Sequence, residues 1–198
     1  MVFVVWGQFE DAKVIVTREA NQIGDLFHMA KSFPGPVQSR VRAALVAYAQ
    51  TVVDEEWPAM SRGQESQRAW KEFKGLWDIY REITPQTTRE NAVYAESLRR
   101  LNDLSDSRRL RLHASRDEVP PVMWVVLWSG AVTMIGFTYF FGVKSIRAQS
   151  LMTAALTAVI ASILFLIIAL DNPFAGDARV TPKAFQHELD RIGTSSSE

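Results

Sequence analysis

Asp54-Glu55-Glu56 is the densest acidic run in the chain. Carboxylate oxygens suit hard divalent cations, so the run is a candidate calcium or magnesium site. It also reads as the salt-bridged end of a helix. There its sign opposes the helix dipole, which points to a basic partner. Arg108, Arg109, Arg111 and Arg116 crowd one later stretch, and the Arg108 to Arg111 part of it could supply the partner. The same four arginines are candidates for attracting anions or anionic lipid headgroups. Asp171 stands at the edge of a long apolar run, where an ionisable side chain is either functional or a stop signal. Ser129, Thr133 and Gly136 place small or hydroxyl-bearing residues at helical spacing, as do Ala154, Ala158 and Ser162. Such stripes serve close helix packing or line a pore. Phe137, Phe140 and Phe141 read as an interfacial belt or as an apolar constriction. No Ser-His-Asp or His-x-x-His spacing occurs, there is no cysteine, and His28, His113 and His187 lie far apart. The sequence therefore predicts neither an enzyme nor a bound cofactor. A net charge of zero gives no field that favours nucleic acid.

The elements that position these residues divide sharply in composition. Val122 to Gly142 and Ser150 to Leu170 are two runs of 21 residues without a charge. At about 1.5 Å per residue each reaches roughly 30 Å, the thickness of a bilayer's hydrocarbon core. Backbone in lipid must satisfy its own hydrogen bonds, so both runs should be helices. A basic loop of seven residues joins them, and Asp171-Asn172-Pro173 closes the second. Residues 120–172 are thus expected to form a transmembrane hairpin with the lipid bilayer as partner.

Residues 7–119 are rich in charge and read as an antiparallel helical bundle. In its first helix Val14, Ile15, Ala20, Ile23, Phe27 and Ala30 recur at helical spacing, with Glu10, Asp11, Lys13, Arg18 and Glu19 between them. Pro34-Gly35-Pro36 opens a second helix with Val41, Leu45, Tyr48 and Val52 on one face, expected to end at Asp54 to Trp57. A third covers about 66–83 with an aromatic stripe, Trp70, Phe73, Trp77 and Tyr80, read as a packed face. Thr87 and Glu90 have capping-box spacing and open a fourth, whose apolar side is Val93, Leu98, Leu101, Leu104, Leu110 and Leu112. In the tail, 173–198, Thr181 and Pro182 start a short amphipathic helix with Phe185, Leu189 and Ile192 on one face. Met1 to Trp6 is an apolar stub that reads as the end of a truncated membrane helix, so the chain is expected to be incomplete at its N-terminus. Arg108, Arg109, Arg111, Arg116, Arg179 and Lys183 flank the hairpin, against Lys144 and Arg147 in its loop, which puts bundle and tail on the cytoplasmic side. The fold class expected is all-α, a cytoplasmic bundle with a transmembrane helical hairpin.

Four stretches carry a family resemblance in their order and spacing: Asp54 to Pro58, Arg108 to Leu112, Gly136 to Gly142, and Leu170 to Phe174 followed by Gly176-Asp177 and Val180 to Pro182. The chain resembles the bacterial membrane proteins called bestrophin-like, along nearly its whole length. Members of that family usually carry two further apolar segments at the N-terminus, of which Met1 to Trp6 would be the last remnant. The resemblance implies a multi-pass protein of the bacterial inner membrane and an oligomeric anion channel, hence a homo-oligomer. A pore helix would run through Val4, Val5, Gln8 and Phe9, with Gln8 and Phe9 at the cytoplasmic mouth. The chain lacks a dense acidic run like the calcium clasp of animal bestrophins. The alternative is a non-conducting membrane scaffold or sensor whose bundle binds a cytoplasmic protein partner.

Overall fold

The structure, a computed structural model, describes residues 2–117, 119–138, 146–175 and 179–195. Among the described residues all regular structure is helical. Helix α1, Val2–Met29, continues through Gly7 without interruption. Its buried stripe is Val5, Phe9, Ala12, Val16, Glu19, Ile23 and Leu26. Those positions alternate four and three apart, the spacing that keeps one seam facing a neighbouring helix. Of the expected face, Ala20, Ile23, Phe27 and Ala30 are buried, while Val14 and Ile15 at its start are not. Val14 is 55% exposed, while Glu19, expected on the polar face, is wholly buried.

Helix α2, Gly35–Thr51, buries Val41, Leu45 and Tyr48, the face expected of it. It does not end at the acidic run. The chain passes through one π turn, Val52–Glu56, in which the Trp57 N–H reaches the Val52 carbonyl, and continues as α3, Trp57–Met60. Pro58 explains the widened turn. Its nitrogen has no hydrogen to donate, and in a regular α-helix its ring would clash with the Asp54 carbonyl. An extra residue in the turn relieves this and lets the helix run on. The three carboxylates thus sit inside a continuous helix rather than at its C-terminus.

Helix α4, Gln67–Glu82, is capped by Ser66, whose Oγ accepts the Ala69 amide at 3.2 Å. Its aromatic stripe faces the bundle with Phe73 and Tyr80 buried, while Trp70 stays half exposed. Helix α5, Thr88–Ala114, starts at Thr87, whose Oγ1 accepts the Glu90 amide at 3.1 Å. The Glu90 carboxylate returns to the Gln86 amide at 2.8 Å, one residue earlier than a capping box requires. The buried seam of α5 is Leu101, Leu104, Arg108 and Arg111, and Leu110 points outward at 46% exposure. α1 packs along α5, and α2 along α4.

Helices α6, Pro121–Thr138, and α7, Ile146–Leu170, are long and apolar enough to cross a bilayer, and almost nothing of either is buried. Phe140, Phe141, Gly142 and Lys144 lie outside the described residues. At the foot of the hairpin Ile167 and Leu170 join Val5 and Phe9 of α1 in one apolar core. The tail then folds back as α8, Lys183–Ser195, with Phe185 and Ile192 buried as expected and Glu188 buried as well. Gly24 makes room for it. A Cβ there would run into the Glu188 Oε1, so a side chain at position 24 would require that carboxylate to shift.

Candidate functional site

Five polar side chains from four segments meet inside the bundle: Glu19 of α1, Tyr48 of α2, Glu56 of the π turn, and Arg108 and Arg111 of α5. Arg111 is the hub. Its Nε donates to Glu19 Oε2 at 2.6 Å, and its Nη2 donates to Glu19 Oε1 at 3.0 Å and to Glu56 Oε2 at 2.7 Å. Its Nη1 faces the Met60 sulfur. Arg108 Nη2 donates to the other Glu56 oxygen at 2.5 Å, and the Tyr48 hydroxyl donates to Glu19 Oε1 at 2.7 Å. Two carboxylates thus face two guanidiniums, and the cluster is formally neutral. Removing four charges from water costs several kcal/mol each, which only this density of hydrogen bonds can offset. Burial alone would lower the Arg111 pKa. Glu19 and then Glu56 override that and hold it above its ordinary value. Burial, reinforced by Glu19, raises the Tyr48 phenol well above its usual range.

Aromatic rings wall the cluster. The Arg111 guanidinium lies 5.6 Å from the Trp57 ring and 5.7 Å from Phe185. Arg108 lies 5.5 Å from Trp70 and 5.7 Å from Phe73. Trp57 also connects the cluster to the hairpin. Its ring meets Phe174 and Phe185 edge-on at 5.7 and 5.8 Å, and its Nε1 donates to the Val180 carbonyl at 3.2 Å. The Val180 amide in turn donates to the Pro173 carbonyl at 2.7 Å. Asp171 staples the hairpin's two ends, its Oδ1 accepting the Val119 amide at 2.7 Å. That carboxylate sits just before α6, where an anion complements the helix dipole.

The three consecutive carboxylates diverge. Asp54 is exposed, Glu55 pairs with Arg68 at 2.7 Å, and Glu56 points into the core. Among the described residues no three His, Cys, Asp or Glu side chains are placed to hold a metal ion. The arginines are each matched. Arg109 is held by Asp106, Arg116 by Glu65 at 2.6 Å, and Arg111 is sealed inside with no surface for a headgroup. Gln8 is exposed beside a cavity of about 170 Å³ that it shares with Asp11 and His113. Phe9 is buried in the core, with the Lys13 ammonium 4.7 Å over its ring. Ser129, Thr133 and Gly136 stay exposed on α6, as do Ala154, Ala158 and Ser162 on α7, so neither stripe is used to pack the hairpin. The Ser129 and Thr133 hydroxyls donate to their own helix, to Val126 and Ser129 carbonyls at 3.0 and 2.8 Å.

Sequence reasoning missed Glu19 and Tyr48 as cluster members. The signal for Glu19 was its phase, since it falls seven residues after Ala12 and seven before Leu26, both buried. Arg108 and Arg111 continue the seam of Leu101 and Leu104 in the same way.

The family model described as the bestrophin-like domain matches residues 1–185. The chain belongs to the bestrophin-like family. Comparison with curated proteins and with solved structures gave no match. The match takes in every segment that builds the bestrophin-like chain's buried cluster and hairpin foot, from Glu19 to Phe185.

Proposed function

We propose that the chain is an integral membrane subunit that assembles with copies of itself into an ion-conducting pore, with bundle and tail on the cytoplasmic face of the bacterial inner membrane. The observation that carries this reading is the hairpin's uncovered hydrocarbon. Val125, Val132 and Val159 are more than half exposed on helices that pack against almost nothing. Exposed apolar surface on that scale needs lipid or another subunit to cover it. Family membership favours a channel over other membrane roles. In a ring, the exposed stripe of Ser129, Thr133 and Gly136 is free to face a neighbour or a shared axis. The exposed Gln8 would lie near the mouth, on a helix that runs from hairpin level into the bundle.

One observation favours the scaffold reading instead. The arginines expected to draw anions to the mouth are each neutralised by a carboxylate. Reconstitution in liposomes separates the two. A pore gives chloride flux from a closed ring of subunits, and Gln8→Trp diminishes it. Purified protein that is monomeric or dimeric and passes no ion at any voltage leaves the scaffold.

A further inference from the structure

A second basic region differs from the arginine cluster in that, among the described residues, only Lys13 of its three cations has an acidic partner. Between α1 and the start of α8 lies a groove of about 270 Å³. Lys13 and Thr17 line it from α1, and Arg179, Thr181 and Lys183 line it from the tail. Its floor is apolar, with Val16 and Val180 buried. Among the described residues no carboxylate lines the groove. Lys13 makes a surface pair with Glu10 at 2.8 Å, but Arg179 and Lys183 enter no ion pair among the described residues. Two cations without an acidic partner among the described residues therefore converge on one concavity, and the first turn of α8 reaches it through Ala184 and adds its partial positive charge.

Position indicates what would fill it. Phe9 belongs to the core at the foot of the hairpin, and Lys13 is one turn further along α1, about 6 Å away. The polar headgroup layer extends roughly 5–8 Å beyond the hydrocarbon on each side. With the hairpin in a bilayer, the groove therefore opens at headgroup depth. We propose that this groove binds a phosphoryl anion, supplied by an acidic phospholipid headgroup or by free phosphate, held by Arg179 and Lys183 with Lys13 at the rim. The headgroup depth rests on the membrane reading above, whereas the unmatched cations and the groove do not.

The test uses the whole chain in neutral detergent at constant ionic strength. Thermal unfolding is followed while short-chain phosphatidylglycerol, short-chain phosphatidylcholine or inorganic phosphate is titrated in. Stabilisation by phosphatidylglycerol but not by phosphate identifies a lipid site. Stabilisation by both identifies a site open to the aqueous phase. In either case Arg179→Gln/Lys183→Gln should weaken the apparent affinity on the order of thirtyfold, as expected for losing two charges near the ligand. Lys71→Gln/Lys74→Gln on α4 should leave it unchanged. No stabilisation by either anion, stabilisation by phosphatidylcholine that matches phosphatidylglycerol, or an equal loss in both double variants would overturn the proposal. Carbonate washing of cell membranes tests the bilayer placement separately. A chain released by carbonate defeats the membrane reading, while the phosphate titration still decides the groove.

Discussion

In the bundle, Glu19, Glu56, Arg108 and Arg111 are almost wholly inaccessible, and each is paired. In the hairpin, Val125, Val132 and Val159 are more than half exposed. One chain thus hides charge at one end and displays hydrocarbon at the other. Taken as a protein in water, the hairpin violates every expectation of a stable surface. Taken as a protein in lipid, it violates none, because its backbone is helical and its hydroxyls bond their own carbonyls. The bundle obeys the opposite solvent. The four charges of its central cluster are buried where carboxylate–guanidinium pairs and aromatic walls replace water, and its outer face carries exposed ion pairs such as Arg40–Glu82 at 2.7 Å. The difference teaches that burial has no meaning here until the solvent on each side is named.

The contrast is broken most severely at the hub. Arg111→Met leaves the buried Glu19 carboxylate without a cation and Glu56 with Arg108 alone, and the bundle should lose about 3–5 kcal/mol of stability in chemical denaturation. Glu19→Gln/Arg111→Met keeps the Arg108–Glu56 pair and restores the charge balance, so it should recover most of that loss. A double variant no more stable than the single would show that the hub acts by packing rather than by charge. On the other side of the comparison, Val159→Lys alters a 58% exposed residue near the middle of α7. On a water-facing surface such a change stays within about 0.5 kcal/mol. In a bilayer it costs about 2.5–3.5 kcal/mol of insertion free energy, readable as the inserted fraction in a glycosylation-reporter assay.

Alkaline titration sharpens the picture of the dry bundle. Burial pushes the Tyr80 phenol from its ordinary 10.0 up to about 12. The folded state thus favours the neutral phenol, and that contribution is complete below pH 10 and lost as pH rises through about 12. Tyr48 is shifted the same way and extends the loss. Unfolding free energy should stay level to about pH 10 and then fall by about 2–3 kcal/mol from Tyr80 alone. Tyr80→Phe should flatten part of that fall, and an identical profile would count against the phenol as its source. The smallest effect is expected at the join between the two regions. Asp171→Ala leaves the Val119 amide without its acceptor, which should cost about 1 kcal/mol and speed hydrogen exchange at that amide.

Much of this architecture is readable in the sequence because apolar pattern carries it. Val41, Leu45 and Tyr48 declare α2, the two uncharged runs declare the hairpin, and Thr87 with Glu90 marks the start of α5. What the sequence hides is charge acting as core. Glu19, Arg108 and Arg111 keep the phase of buried seams, but their chemistry assigns them to the surface, so phase and type conflict and type is the more persuasive. Pro58 misleads for a related reason. A proline ordinarily stops a helix, and nothing local shows that a wider turn would be preferred because it delivers Glu56 to two arginines. The groove at Arg179 and Lys183 was equally hidden, since only the fold brings Lys13 beside them.

Trp57 has a consequence for the order in which the molecule is made. Helices α1 to α5 emerge from the ribosome first, carrying Trp57 and Arg111 with one side of each uncovered. The rings that cover them, Phe174 and Phe185, are encoded beyond the hairpin. Translation must therefore deliver both long apolar helices before the bundle can finish its own interior. A ribosome stalled within α7 holds a bundle with an open wall. Completion of the bundle thus reports that the chain beyond α7 has been delivered, and quality control that recognises exposed aromatic surface would see the failures.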